Sequence, residues 1–110
     1  MKHSTAQANY IKSVALFDAA LEAYSAGGSD EELAQKEQAC FDAGDLMELR
    51  QVELFRWARE KVVLLCKSLG KSESDLKAVL DLYDKAIGGE WIHPHIKNQL
   101  IERSLQIIVK

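Results

Sequence analysis

Apolar residues recur at helical spacing through almost the whole chain, and glycine or a helix-capping residue separates one run from the next. In the first run, over residues 5–26, five large side chains follow one another at steps of four and three, which places them in one stripe of a helix: Tyr10, Val14, Phe17, Leu21 and Tyr24. Gly27 and Gly28 end the run, because glycine adopts the left-handed backbone that helix C-termini often use. The pattern predicts a helix that packs one face against a neighbour.

The second run begins at Ser29, a favoured N-cap residue, and Glu32 follows three positions later, as in a capping box. It predicts a polar helix over residues 30–43. We expect a break at Gly44, which can close one helix while Asp45, paired with a glutamate three positions on, starts the next. A single long helix with Gly44 in its interior is the alternative.

The third run, over residues 46–69, carries an apolar stripe of Phe55, Ala58, Val62, Leu65 and Leu69. Its segment VVLLC, residues 62–66, is apolar on every side, which is typical of a helix surrounded by others. We therefore expect this helix to lie at the centre of the fold and to end at Gly70.

Two further helices complete the pattern. The fourth, over residues 73–87, starts near Ser72 or Ser74 and turns a set of apolar residues inward: Leu76, Val79, Leu80, Tyr83 and Ile87. The fifth, over residues 94–109, starts at Pro94, because proline is favoured in the first turn of a helix.

The fifth helix has an unusually wide apolar face. One stripe holds Ile96, Leu100 and Ile107, and a second stripe, about a third of a turn away at 3.6 residues per turn, holds Ile101, Leu105 and Ile108. Such a helix either lies deep in its own core or contacts both that core and another chain. We therefore expect the second stripe to be a protein interface, with a homodimer as one outcome.

The chain has 110 residues and one proline, with 47% hydrophobic and 28% charged residues, which is typical of one soluble globular domain. We expect residues 1–5 to be loose. No apolar run approaches the ~18 residues of a membrane span, and the N-terminus lacks the apolar segment of a signal peptide. Cys40 and Cys66 follow no metal or redox spacing. These features predict a cytoplasmic protein with reduced thiols and no membrane partner.

The net charge of −3 is unevenly distributed. Residues 1–55 hold 4 basic and 10 acidic side chains, whereas residues 56–110 hold 10 basic and 7 acidic ones. No basic stripe is strong enough to predict a nucleic-acid partner. Acidic runs are usually solvated faces, but the first half could also dock a basic protein. The residues that would carry this docking are Glu31, Glu37, Asp42 and Glu48.

The segment GGEWIHPHI, residues 88–96, has the densest set of reactive side chains. Glu90, His93 and His95 are weak candidates for metal ligands. If Pro94 is the first helical residue, however, His93 is the N-cap and the two imidazoles diverge. Trp91 is expected to fold back onto the bundle, with a partner surface as the alternative, since tryptophan is common at binding hot spots.

These features predict an all-α fold: a single-domain antiparallel bundle of four to five helices. No catalytic or cofactor-binding motif is present in the sequence, so we expect no cofactor. The favoured function is a non-enzymatic protein-interaction module that self-associates through its C-terminal helix. The alternative is an acidic inhibitor, of the immunity-protein kind, that binds a basic partner such as a nuclease. A metal-dependent or small-molecule enzyme using residues 90–95 is the third hypothesis.

Overall fold

The computed structural model describes residues 3–108, and within that range it contains four α-helices, one short 3₁₀ turn and no strand. The helices are α1 (Thr5–Ser25), α2 (Asp30–Ser68), α3 (Lys77–Ile87) and α4 (Pro94–Gln106), and the 3₁₀ turn (Glu73–Leu76) leads into α3. The predicted all-α class is therefore confirmed.

Helix α2 runs without interruption through Gly44, so the expected break is wrong and the single long helix is correct. Its N-cap is Ser29, whose side chain accepts the backbone N–H of Glu32, as the sequence predicted. An interior glycine costs a helix only about 1 kcal/mol. At Gly44 the missing side chain leaves room for the ring of Phe17 on α1, and a Cβ there would lie 3.4 Å from Phe17 Cε1. Packing of α1 thus helps to offset the cost of the glycine.

Helix α1 folds back on α2 as an antiparallel hairpin. The turn contains Gly27, at a φ of 80° that favours glycine, and the Nζ of Lys36 donates a 2.6 Å hydrogen bond to its carbonyl. At the other end of α1, Ser4 and Gln7 form a capping box. Tyr10 is buried against α2, so this part of the predicted stripe is confirmed.

The second half of α2 packs with α3 and α4 around a small core of Phe55, Ala58, Tyr83 and Leu100. The rings of Phe55 and Tyr83 meet edge to face with their centroids 6.0 Å apart. Ser104 Oγ gives its hydrogen to the carbonyl of Leu100 at 2.7 Å, so it accepts the Tyr83 hydroxyl at 2.9 Å. Burial raises the pKa of Tyr83 above its usual value.

An ion pair joins α2 to the outer side of α3. Arg59 Nε lies 2.6 Å from Asp84 Oδ1, and the same carboxylate accepts a second guanidinium hydrogen bond at 3.3 Å. The hydrogen bond that Arg59 donates to Asp84 raises the pKa of Arg59, with a smaller opposing effect of desolvation. This pair is partly exposed, so it orients the helices more than it stabilises them.

A buried glutamine joins the two halves. The Gln7 amide donates to the carbonyls of Ser104, Leu105 and Ile107, at 3.0, 3.3 and 3.0 Å, and its oxygen accepts the Ser4 N–H at 2.7 Å. It therefore caps the C-terminal end of α4 from the first turn of α1. Ile107 already has an extended backbone, so α4 ends at Gln106, three residues before the predicted boundary.

The described part of the chain is elongated. It measures 60 × 31 × 17 Å with a radius of gyration of 17.0 Å, against about 13 Å for a compact domain of this length. A 39-residue helix is about 58 Å long at 1.5 Å per residue, so α2 sets the long dimension. Because α1 covers one half of α2 and α3 and α4 cover the other, the four helices do not lie side by side as the predicted antiparallel bundle.

Replacing Gly44 tests the continuity of α2. We expect Gly44→Ala to raise the free energy of unfolding by about 0.5–1 kcal/mol, because alanine is the better residue inside a helix and 3.4 Å is an ordinary contact distance. The matched Gly27→Ala should lower it by about 1–2 kcal/mol, because φ there is positive. Denaturant titration measures both, and a destabilised Gly44→Ala variant would argue for a break at this residue.

Candidate interaction surface

One stripe of α2 faces α1 and is only half covered. At heptad spacing it contains Cys40, Met47, Gln51, Leu54, Ala58, Leu65 and Leu69. The contact of Phe17 with Gly44 fixes the register of the antiparallel hairpin. In that register the first residue of α1, Thr5, lies beside Arg56 of α2. Beyond that point α1 no longer covers the stripe.

The burial of the stripe changes where α1 begins. Leu54 and Ala58 are fully buried, whereas Leu65 and Leu69 are 59% and 63% exposed. Leu64 is exposed as well. The expectation that other helices surround residues 62–66 is therefore wrong for two of its leucines. The physical reason is that α1 begins beside Arg56: Ala58 is buried in the core with Tyr83 of α3 and Leu100 of α4, whereas Leu65 and Leu69 lie past α1 and are left largely open.

The open side forms a groove of about 600 Å³ between the second half of α2 and the end of α4. We call it the α2–α4 groove. Its lining is mostly apolar, with Lys61, Ser68 and Gln106 as the polar members, and it comprises Lys61, Val62, Leu64, Leu65, Ser68, Gln106, Ile107 and Ile108. A groove of this kind on a described surface is a typical site of protein contact.

The three residues predicted as an interface on the last helix are separated by the fold. Ile101 is half-buried and packs against the core around Tyr83, and Leu105 is also half-buried. Ile108 is 70% exposed and lines the α2–α4 groove. The sequence reasoning missed Leu64 and Leu65, and the signal that could have found them is their place in an apolar segment longer than α1 can cover.

The segment GGEWIHPHI is a helix start. His93 is the N-cap of α4, and its Nδ1 accepts the backbone N–H of His95 at 3.1 Å, with Pro94 as the first helical residue. His95 Nε2 lies 3.3 Å from the Gln99 amide nitrogen instead. Glu90 is exposed, and no group of three potential metal ligands converges anywhere in residues 3–108.

Trp91 does not fold back onto the helices. It is 79% exposed, and the one ring near it is the edge-on imidazole of His93, at a centroid distance of 6.2 Å. The expected packing on the bundle is therefore wrong. Gly89 has a φ of 75°, and it lies in the turn that ends α3, where the N–H of Glu90 bonds to the carbonyl of Lys85.

The acidic residues predicted as a docking surface all lie exposed on α2: Glu31, Glu37, Asp42 and Glu48. At 3.6 residues per turn Glu31 and Asp42 belong to the side of the helix away from α1, whereas Glu37 lies beside Leu21 and Tyr24 of α1 and Glu48 lies one turn from Gly44, which contacts α1. The two cations of the segment are engaged elsewhere, because Arg50 pairs with Glu53 at 2.9 Å and Lys36 binds the Gly27 carbonyl. Among the described residues, none of the four acidic residues takes part in an ion pair.

Both cysteines are free thiols. Cys66 is buried, and its Sγ lies 3.2 and 3.1 Å from the carbonyls of Lys71 and Ser72, which follow the end of α2. Cys40 is half-buried near the turn of the hairpin. Cys66 therefore has a structural place in the loop that leads to the 3₁₀ turn, which Ser72 and Asp75 cap. Ser72 is one of the two start residues that the sequence predicted for this region.

None of the helices described between residues 3 and 108 is long and apolar enough to cross a membrane. Comparison with protein-family models, with curated proteins and with solved structures finds no match to this chain. The argument for function therefore depends on the geometry of the surface itself.

Substitution of His93 distinguishes a helix cap from a metal ligand. We expect His93→Ala to lower the free energy of unfolding by about 1 kcal/mol and His93→Asn to preserve it, because asparagine is a good N-cap residue. We also expect zinc to leave the Tm of the unmodified chain unchanged. Calorimetry with and without zinc measures both effects. A zinc-dependent rise in Tm that disappears in His93→Asn would support the metal site.

Proposed function

We propose that this protein is a non-enzymatic protein-interaction module that self-associates through the α2–α4 groove. The observation that carries the proposal is the exposure of Leu64 and Leu65 in the lining of this groove, with Leu69 also exposed one turn further along α2. The sequence predicted the interface at Ile101, Leu105 and Ile108 of the last helix. Of these three residues only Ile108 lines the groove.

The free energy available at this surface favours association. Full burial of a leucine side chain contributes about 1.5–3 kcal/mol, so covering the exposed parts of Leu65 and Leu69 would contribute about 1–2 kcal/mol each. Leu64 and Ile108 add to the same patch. The polar residues in the lining, Lys61, Ser68 and Gln106, include no acid–base pair, which supports a role in binding more than in catalysis.

A second copy is the proposed occupant because the chain complements itself in charge. The hairpin half, up to residue 55, has six more acidic than basic side chains, whereas the other half has three more basic ones. The halves lie at opposite ends of an elongated molecule, so two copies side by side attract each other when they are antiparallel.

The two free thiols suit a reducing, cytoplasmic location.

Polar substitution of the groove tests self-association. We expect the unmodified chain to form dimers at micromolar concentration, and Leu64→Gln with Leu65→Gln to weaken the dimer at least tenfold, because the apolar contact of the groove lining is lost. Sedimentation velocity measures the dissociation constant. The matched control on the same helix is Phe41→Gln with Leu49→Gln, two residues of similar exposure outside the groove, which should leave it unchanged. A monomer at 100-fold higher concentration would reject the proposal.

A second candidate function is an acidic inhibitor of the immunity-protein kind that binds a basic protein. The observation in its favour is the exposure of Glu31, Glu37, Asp42 and Glu48 on α2, none of which forms an ion pair among the described residues. Exposed like charges accelerate association with an oppositely charged partner over the range of the Debye length.

Charge reversal tests this candidate against a basic nuclease captured from the native host. We expect Glu31→Lys, Glu37→Lys and Asp42→Lys together to slow association several-fold at low salt and to have little effect at high salt. Surface plasmon resonance measures the association rate constant. The control is a charge reversal on the other half, Glu102→Lys, and equal rates for both variants would exclude the acidic surface.

A further inference from the structure

We propose that Gln7 is a positioning residue for the α2–α4 groove. From the first turn of α1 it holds the wall that α4 contributes, so that the groove keeps its binding shape only while α1 is docked. The inference rests on the self-association proposed above and concerns what controls that surface. The side chain of Gln7 is fully buried, and its amide donates to three backbone carbonyls at the end of α4.

The two walls of the groove differ in what holds them. The wall from α2 belongs to the interior of a continuous helix, whose own backbone hydrogen bonds fix it. The wall from α4 consists of Gln106, the last residue of that helix, and the two residues after it, Ile107 and Ile108. Ile107 has an extended backbone, so helical hydrogen bonds no longer hold the chain there. The α4 wall is therefore the one that needs a contact from another element.

Gln7 supplies that contact. Its Nε2 lies 3.0 Å from the carbonyl oxygen of Ser104, in the last turn of α4, and 3.0 Å from that of Ile107, beyond the helix. Among the described residues no other hydrogen bond joins α1 to α4 or to the segment after it. The amide thus ties the first residue of the extended segment to the end of the helix.

Loss of this amide would move the α4 wall. The carbonyls in the last turn of a helix have no partner within their own helix, and Ser104 is fully buried. Leaving buried carbonyls unpaired is costly, and a shift of the chain end toward water relieves that cost. Such a shift displaces Ile107 and Ile108, which line the groove.

The coupling between α1 and the groove is reciprocal. A partner that fills the groove holds Ile107 in place and so keeps three acceptors in front of Gln7. Occupation of the groove therefore stabilises the docked position of α1, although the groove lies on the half of α2 that α1 does not cover.

Gln7→Glu removes the contact with α4 and keeps the cap of α1. A carboxylate has nearly the shape of the amide and can still accept the N–H of Ser4, which bonds the amide oxygen at 2.7 Å, and glutamate is favoured at this position of a capping box. An ionised carboxylate has no hydrogen to donate, whereas a protonated one donates a single hydrogen bond. Burial and the facing carbonyl oxygens raise the pKa of this carboxyl, against a smaller effect of the Ser4 N–H.

The pH profile of this variant tests the role of Gln7. We expect Gln7→Glu to raise the dissociation constant of the dimer about fivefold at about pH 8, and to bring it within about twofold of the unmodified chain at about pH 5. Sedimentation velocity on both chains at each pH gives the ratio, in which groups that titrate in both chains cancel. Tyr83, which meets Ser104, keeps its proton over this range because burial raises its pKa, and the neighbouring Arg103 keeps its charge.

Two further variants separate this role from a general loss of stability. Gln7→Met has a similar length and no donor at any pH, so its dimer should stay weak at both pH values. Phe17→Ala loosens α1 at Gly44, ten residues or about 15 Å along the helix from Gln7. It should lower the free energy of unfolding and leave the dissociation constant of the dimer unchanged. Circular dichroism at the same concentrations checks that each variant is folded.

The outcomes distinguish this inference from the proposed function. If Gln7→Glu weakens the dimer no more than Phe17→Ala does, the role of Gln7 is wrong and self-association through the groove stands. Equal weakening at both pH values in a folded Gln7→Glu chain would also overturn the role of Gln7. A monomeric unmodified chain would overturn both proposals.

A double-mutant cycle provides an independent measurement. We expect Gln7→Glu to raise the dissociation constant about fivefold in the unmodified chain and less than about twofold in a Leu65→Gln chain, because both changes disrupt the same contact. Leu49→Gln, at an exposed leucine outside the groove, is the control background, in which the full effect of Gln7→Glu should remain. Equal effects in all three backgrounds would contradict an action through the groove.

Discussion

The unbroken backbone hydrogen bonding of α2 through Gly44 is the constraint on which the rest of the structure depends. A helix of this length carries an apolar stripe longer than any other helix of the chain can cover. The helices before and after it therefore occupy different halves, and Leu65 and Leu69 are left uncovered. Had the helix ended at Gly44, the two pieces could have packed side by side in a compact bundle, and the α2–α4 groove would not exist.

The charge difference between the two halves and the apolar groove both follow the long axis of the molecule. The acidic half holds the hairpin, and the basic half holds the three-helix core and the groove. In the proposed dimer, long-range attraction would orient two copies before any apolar contact formed, and burial of leucines would then slow their separation. Neither contribution needs a deep pocket.

Local signals in the sequence predicted local structure well. The caps at Ser29, Ser72 and His93 and the buried positions of Tyr10, Leu80 and Tyr83 follow from chemistry within a few residues. The break expected at Gly44 was wrong because an interior glycine costs a helix only about 1 kcal/mol. Contacts with α1 can offset that cost, and no local pattern in the sequence encodes those contacts. The exposure of Leu65 and Trp91 was missed for a related reason, since burial depends on the length and direction of neighbouring helices. The sequence could therefore predict an excess of apolar residues, but not that they form a groove between α2 and α4.

The buried Gln7 amide has a consequence for how the molecule unfolds. It joins residues 97 to 100 positions apart in the chain, and contacts of such separation form late, because the closing loop is long. The start of α1 cannot fray without also releasing the end of α4. A rod-like chain with no common core would ordinarily open in independent sections. Here one side-chain amide couples the sections, so that both ends of the sequence stabilise the middle of the rod together.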